Sequence, residues 1–360
     1  MSIFWLPFLS ALLITYFLTP AVIHLAKRMR LVDDPKIRKH PAHTHLGIIP
    51  RAGGLAILGG VLLPAFFLLP ISKALMGILS ALVLTAIIGL WDDRVDLSPY
   101  FRFIANIVTA VIVVAAGIGI PFITNPLGGV IHLDLWRISF EFLGTHSILV
   151  LADLFAILWI VWTMNIVGWS SGVDGQMPGF VAITALVLGF MALRFSAHDI
   201  SQTTVASLAF ITAGAFLGFL PWNFYPQKIM PGYSGKTIAG LLIATIAILS
   251  GGKIGSALII LAVPMLDAAY ALIRRILLKK SPFRPDKHHL HHRLLTIGWG
   301  KRRIALFYWS VSAILGILTL SMNSSQKLFT FLALTVTIGG ILIWLALFLQ
   351  PANHTHQDES

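Results

Sequence analysis

Long, nearly uninterrupted apolar runs recur along this chain, and they constrain its fold more than any other feature. They lie near 3–26, 53–70, 73–91, 102–121, 147–167, 178–195, 202–220, 236–251, 254–273, 303–323 and 328–349, separated by short polar stretches. About 20 apolar residues is what a helix needs to cross the hydrocarbon core of a bilayer. A helix also satisfies its backbone polar groups internally, as the bilayer requires. Only 11% of the residues are charged and the mean hydropathy is +0.86, whereas about a quarter are charged in a soluble domain. The chain is therefore expected to be an all-α polytopic membrane protein of about 10–11 transmembrane helices. A membrane β-barrel is excluded, because its apolar residues alternate.

The first run has no basic start and is too long for a cleaved signal peptide, so it reads as a first span with its N-terminus outside. The loops that then face the cytoplasm hold seven Lys or Arg in 27–52, two in 92–102, two in 221–236 and ten in 274–303. Lys73, Arg137, Arg194, Lys253 and Lys327 are left for the other side. That asymmetry is the positive-inside rule. Residues 1–350 read as a single catalytic-type transmembrane domain and 351–360 as a short cytoplasmic tail. On the outer side, 122–146 carries the alternating stretches Val130-Ile-His-Leu-Asp-Leu and Arg137-Ile-Ser-Phe-Glu-Phe, which predict a small extracytoplasmic hairpin. The net charge of +12 fits loop topology and anionic headgroups better than nucleic acid. With no cysteine, disulfide and thiolate chemistry are excluded.

Polar residues gather on the basic side. Asp92 and Asp93 end the third apolar run, where adjacent carboxylates are costly unless something cationic meets them. A metal or a proton transfer would justify the pair. Capping by Asp93 or Asp96, with neutralisation by Arg94 and Arg102, is the plainer alternative. Asn165 opens a glycine-rich loop whose acid is Asp174; Asp174-Gly175 alone is an ordinary turn dipeptide. Asn223 lies in a loop ending Gly235-Lys236-Thr237. That ending is not a P-loop, because Met230 stands where a glycine is required, yet a glycine-rich helix start suits a phosphate. His289, His291, His292 and Arg293 crowd one short stretch, a set suited to a phosphate or pyrophosphate. Zinc is disfavoured there by the missing partner ligands. A solvated basic loop that only enforces topology is the bland reading. A transporter is the weaker class, since Asp153 and Asp267 are the main ionisable groups deep in spans and no inverted repeat is visible.

Taken in order, Ile49-Pro-Arg51-x-Gly-Gly54, Asp92-Asp-Arg-x-Asp-Leu-Ser-Pro99, Asn165 with Asp174-Gly175, Trp222-Asn-x-x-Pro226, Val263-Pro-Met-Leu-Asp267 and Pro285-Asp-x-x-His-Leu-His-His-Arg-Leu294 resemble the polyprenyl-phosphate N-acetylhexosamine-1-phosphate transferases. The last motif resembles the undecaprenyl-phosphate GlcNAc-1-phosphate transferase branch. The resemblance implies transfer of a sugar 1-phosphate from a UDP-sugar to a membrane polyprenyl phosphate with release of UMP, at the cytoplasmic face of a prokaryotic cytoplasmic membrane, and a homodimer. It implies Asp92, Asp93 and Asp174 as catalytic residues. Asn165, Asn223, Arg51, His289, His291, His292 and Arg293 would bind substrate, and Mg²⁺ would be held in part by Asp92 and Asp93. The sequence departs from the pattern at Gly168 and Ser171, where Asn and Asp are usual, and at Tyr233, where the family places a metal-ligating Asp. Lys236 adds a cation nearby. Three readings stay open: Lys236 replaces part of the metal's charge, the remaining aspartates hold Mg²⁺ alone, or the chain is a pseudoenzyme that binds without turnover.

Overall fold

The computed structural model describes residues 2–37, 47–125, 128–141, 145–193, 201–251, 253–281 and 288–348. Part of the basic loop after Lys36, Pro285 and Asp286 of the histidine motif, and the tail 351–360 lie outside the described residues.

Helices dominate: α1 (Ser2–Arg28), α2 (Gly53–Leu68), α3 (Lys73–Val95), α4 (Pro99–Ala115), α5 (Val150–Trp169), α6 (Gln176–Ala192), α7 (Gln202–Asn223), α8 (Gly232–Leu249), α9 (Ile254–Ile260), α10 (Ala262–Leu277), α11 (Leu290–Thr296), α12 (Lys301–Thr319) and α13 (Ser324–Phe348). Among the described residues seven of these are long and apolar enough to cross a membrane. The broken pair α9–α10, bent by 84°, makes up to eight, and α2, α4 and α6 are shorter apolar helices. The protein is a multi-pass membrane protein of all-α class.

The polar residues between the runs set the helix starts. Ser72 accepts from Leu75 N at 3.2 Å to open α3, Ser98 accepts from Phe101 N ahead of Pro99 to open α4, and Ser201 opens α7 in the same way. Each hydroxyl satisfies a backbone N–H that the helix cannot. Lipid tails are as apolar as leucine, so close packing and not water exclusion holds such helices together. Hence small residues sit at the contacts. α7 packs on α1 with Gly214 and Gly218 so near that an added β-carbon would overlap the carbonyl oxygens of Phe8 and Leu12. Central α8 is flanked by α3 and α5 and is buried over most of its length, whereas α13 is mostly exposed.

The alternation in 122–146 predicts one hairpin, but two form. β3 (Phe122–Thr124) pairs antiparallel with β4 (Val130–His132), and β5 (Arg137–Glu141) with β6 (Thr145–Leu149). The two alternating stretches abut with only Trp136 between them, short of a two-residue hairpin loop, so each pairs outward. β6 thereby takes residues that the apolar pattern assigns to the fifth span. These hairpins join the far ends of α4 and α5, opposite the end where α3 meets α4. A further two-stranded pair, β1 (Val32–Asp33) with β2 (Ile49–Pro50), leads into α2.

Replacing Gly218 by Leu is expected to force α1 from α7 at a cost of at least about 1–3 kcal/mol, read as a lowered midpoint of thermal unfolding in detergent. Ile314→Ala, on an exposed face of α12, should shift stability by no more than about 0.5 kcal/mol. Equal shifts would refute the packing argument.

Candidate active site

Neighbouring residues on a helix point about 100° apart, and this separates the two aspartates that close α3. Asp92 turns toward α4. Its Oδ1 accepts from Leu97 N at 3.1 Å and from Arg102 Nε, while Arg102 also pairs with Asp96. Its Oδ2 is buried and has no hydrogen-bond partner. Asp93 turns toward α8. It accepts from Tyr233 N at 2.8 Å and Ser234 Oγ at 3.1 Å, and Arg51 Nε stands 3.4 Å away. Pro231 offers α8 no side-chain cap, so Asp93 caps that helix from α3. Gly232, at φ +70°, keeps this approach open: a β-carbon there would overlap Arg51 O and the Asp93 carboxylate.

On the first turns of α8, Tyr233 and Lys236 stand three residues apart and both line the cleft. The Tyr233 hydroxyl donates to Asn106 Oδ1 at 3.1 Å, and the Arg102 guanidinium lies 5.3 Å from its ring centre. Lys236 makes no hydrogen bond or ion pair among the described residues. The charges near enough to act on it are Arg51, Asp93, Arg102 and Asp92.

Asp174 accepts from Lys301 Nζ at 3.0 Å, Gln227 Nε2 at 3.1 Å and Gln227 N at 3.3 Å. Asn223 accepts from Gly175 N at 3.1 Å and donates to Gln227 Oε1 at 3.0 Å and Ile229 O at 2.9 Å. These two side chains stitch the loop after α5 to the loop after α7. Asn165 lines the cleft while donating to Val161 O at 2.7 Å. Ser171 donates to Gly168 O at 2.7 Å, so the two departures from the resemblance face each other within one turn.

The histidines are ordered by an acid 22 residues upstream. Asp267, buried on α10, meets His289 Nδ1 at 2.9 Å and accepts from Leu290 N at 2.7 Å. It thus caps α11 and fixes the His289 ring. His291 stacks on His289 with ring centres 5.8 Å apart, and the His292 ring centre lies 4.3 Å from that of His291. Burial, followed by the neighbouring His292, His289 and Lys236, holds the His291 imidazole well below the usual histidine range. Gly172 leaves room for that ring, because a β-carbon there would overlap its Nε2. Arg293 points the other way, donating to Leu342 O at 2.6 Å and His288 O at 2.9 Å, with Tyr270 beneath its guanidinium. It fastens α11 to α13 and does not line the cleft.

The cleft that these elements enclose measures about 480 Å³. Asp92, Arg51, Asn165, Asn223, His289, His291 and His292 line it; Asp93, Asp174 and Arg293 support it from behind. Each of the four basic loops contributes to its wall, so the motifs converge at one end of the helices. Sequence reasoning missed Asp267 as the partner of His289, Gln227 and Lys301 as the partners of Asp174, and Arg275 over Trp169. Val263-Pro-Met-Leu-Asp267 carried the signal for the first.

A divalent ion needs several oxygen donors at about 2.0–2.6 Å. Among the described residues no three His, Asp or Glu side chains are placed to share one. Asp93 is spent on Arg51 and α8, Asp174 on Lys301 and Gln227, and the Tyr233 phenol on Asn106. Asp92 Oδ2 is buried and accepts no hydrogen bond, and Asp33 brings a second carboxylate to the same wall. The described residues build no all-protein cage, but Mg²⁺ is commonly held by one or two carboxylates together with substrate phosphates, and Asp92 Oδ2 fits that role.

Residues 75–251 match the family model described as Glycosyl transferase family 4. The chain is 34% identical over 330 residues to the Decaprenyl-phosphate N-acetylglucosaminephosphotransferase of Mycobacterium leprae, covering 84% of this chain and 79% of that protein. It is 30% identical to the Probable undecaprenyl-phosphate N-acetylglucosaminyl 1-phosphate transferase of Bacillus subtilis, over 95% of this chain and 87% of that one. Likeness to the Undecaprenyl-phosphate alpha-N-acetylglucosaminyl 1-phosphate transferase of Thermotoga maritima is 27%, over 95% and 97%.

A buried neutral His291 has a signed consequence for pH. The unfolded chain takes up a proton near pH 6.5 that the folded chain refuses, so this contribution to stability is present above that pH and lost as pH falls through it. Between about pH 7.5 and 5.5 the thermal midpoint should fall, and His291→Asn should flatten the slope. Parallel curves for wild type and variant would overturn the assignment.

Proposed function

The chain belongs to glycosyl transferase family 4 and is a membrane phosphoglycosyl transferase that moves a sugar 1-phosphate onto a polyprenyl phosphate, and we propose that its donor is a UDP-N-acetylhexosamine. N-acetylglucosamine is the favoured sugar, on the printed names of the relatives. In this scheme an oxygen of the polyprenyl phosphate attacks the β-phosphorus of the donor. A new phosphoanhydride bond forms, the bond from that phosphorus to the bridging oxygen breaks, and UMP leaves with the electron pair.

The single observation that carries the site assignment is one cleft lined by Asp92, whose Oδ2 accepts no hydrogen bond, together with Lys236 and three histidines. We assign Asp92 to the acceptor, where a carboxylate oxygen positions the attacking phosphate or takes its proton. His289 and His292, beside neutral His291, are assigned to the donor diphosphate, with Arg51, Asn165 and Asn223 completing the wall. Asp93, Asp174 and Arg293 enter as positioning residues. Phosphoryl transfer depends chiefly on positioning and charge neutralisation, and these groups supply both. Mg²⁺ would be held by Asp92 together with the substrate phosphates, and would supply charge neutralisation at the diphosphate. The comparisons give binding without turnover no support.

Residues 1–350 form the proposed catalytic unit. The cleft is assigned to the cytoplasmic face of a prokaryotic cytoplasmic membrane and the N-terminus to the outside, supported by the bacterial relatives and by the basic loops around the cleft. A homodimer rests on the resemblance alone.

Purified protein supplied with undecaprenyl phosphate and UDP-N-acetylglucosamine should release UMP. Asp92→Asn should cut kcat by about 10²- to 10⁴-fold with little change in thermal midpoint. Asp93→Ala should instead lower the midpoint, since it strips α8 of its cap and Arg51 of its partner. Full turnover in Asp92→Asn would remove that residue from the chemistry.

A further inference from the structure

An asparagine inside a membrane helix is costly unless both ends of its amide find partners. Asn106 lies on α4 one turn beyond Arg102, so the two side chains share a helix face. That face meets the end of α3 and the start of α8, and both residues line the cleft with Asp92 and Tyr233. Asn106 is buried, with 3% of its surface exposed. Only one end of its amide is used by the protein. Oδ1 accepts from the Tyr233 hydroxyl at 3.1 Å, whereas Nδ2 is buried and donates to no atom of the described residues. A buried N–H without an acceptor is destabilising, and an oxygen supplied by a ligand removes that cost.

The phenol decides how this amide is turned. Tyr233 reaches from α8 to α4, and the Arg102 guanidinium 5.3 Å from its ring centre holds the ring between the two helices. The Arg102 carbonyl, at 3.4 Å, is a longer alternative for the phenolic proton. A phenol that donates to Oδ1 leaves the NH₂, with its two protons, as the unused end. The opposite turn would set an amide oxygen in a cavity that already holds the Asp92 carboxylate and receives phosphates, acceptor against acceptor.

Depth selects the substrate. Asn106 stands seven residues after Pro99, where α4 begins, about 10 Å along the helix axis. It lies inside the apolar run, and Ile104 and Val108 on the neighbouring face are exposed. A nucleotide enters the cleft from water, but a polyprenyl phosphate enters from lipid. The wall that carries Asn106 also carries Asp92, the residue assigned to the acceptor.

We propose that Asn106 binds the acceptor: its Nδ2 donates to an oxygen of the polyprenyl phosphate, and Tyr233 is the positioning residue that keeps the amide turned for it. The identity of the lipid rests on the transferase reading. A neutral amide contributes direction more than charge. It fixes one phosphate oxygen from α4 while Asp92 acts from α3, which limits rotation of the phosphate and leaves another oxygen for the attack. Phosphoryl transfer draws on such positioning. Tyr233 thereby has a use that a carboxylate at the same position could not serve, because an ionised carboxylate has no proton to give to Oδ1.

The test uses the full chain in detergent with excess Mg²⁺, and isothermal titration calorimetry with undecaprenyl phosphate in the same micelles as probe and UDP as control. Asn106→Leu should weaken undecaprenyl phosphate binding on the order of 10- to 100-fold, the size of a lost hydrogen bond to a charged group. UDP affinity should stay within about twofold of wild type, and the thermal midpoint should change little. Asn106→Asp, which keeps an acceptor for Tyr233 and replaces the donor with a carboxylate oxygen, should weaken the same ligand even if the leucine variant does not fold. Asn106→Gln should recover part of the affinity. Tyr233→Phe should weaken it by a smaller factor, and should add nothing in an Asn106→Leu background, as expected for residues that act through one another. Wild-type affinity for undecaprenyl phosphate in both Asn106→Leu and Asn106→Asp would overturn the inference. An equal loss for UDP, or full additivity of the Tyr233 and Asn106 substitutions, would overturn it as well. In the UMP-release assay the KM for undecaprenyl phosphate should rise in Asn106→Gln while that for UDP-N-acetylglucosamine holds. A wild type that binds both ligands but releases no UMP would sink the transferase reading, and Asn106 keeps its role if its substitution still weakens binding of the lipid phosphate.

Discussion

The site depends on one interaction, the Asp93 carboxylate at the N-terminus of α8. It ties three segments distant in sequence: the Arg51 turn that leads into α2, the end of α3, and the Tyr233–Ser234 start of α8. Backbone bonds follow the same seam, with Gly53 N and Gly54 N donating to Met230 O and Pro231 O, and Met230 N donating to Pro50 O. A β-carbon at Gly54 or Gly89 would collide with Ser234, so the seam has no slack. Once it is closed, the direction of Tyr233 and Lys236 into the cleft follows, and Asp92, one residue before Asp93, is left on the cleft side.

The same division recurs at each motif. Of two adjacent polar residues, one is consumed in holding the fold and the other is offered to the cavity. Asp93 is consumed while Asp92 Oδ2 is offered; Arg293 is consumed by Leu342 and His288 while the neighbouring His292 lines the cleft; Asp174 is consumed by Lys301 and Gln227 so that the loop carrying Ser171 and Gly172 lies along the wall. This is a requirement of building a polar site at the end of a helix bundle. Isolated charges there are expensive, so the structure pairs those that need not meet the ligand.

The apolar runs made the helical membrane class legible, since a bilayer permits few alternatives to a run of that length. That the Asp92, Asn165, Asn223 and His289 motifs share one end of the bundle was legible too, from the basic loops that bracket them. Direction was not. Residue type reveals that Asp92 and Asp93 are costly, but only the packed helices decide which faces α4 and which faces α8. Asp267 looked like a charge deep in a span; its partnership with His289 depends on the 84° bend between α9 and α10, which apolar patterning does not record. The two hairpins were hidden because alternation reports that a stretch is a strand, never which neighbour it pairs with.

Asp92 Oδ2 is buried in the cleft without a hydrogen bond, and Lys236, which feels Asp93 and Asp92 and makes no close ion pair among the described residues, lines the same wall with the opposite charge. Were they close partners they would cancel each other, as Arg102 and Asp92 Oδ1 do. Instead Arg102 sits at Asp92 and Arg51 at Asp93, so each acid already has a guanidinium and the lysine is left over. A substrate pair that brings an acceptor phosphate to one group and a donor diphosphate to the other would relieve both costs at once. The placement of a carboxylate and an ammonium on one wall is thereby matched to the geometry in which two phosphates approach one another, which is the geometry that the transfer requires.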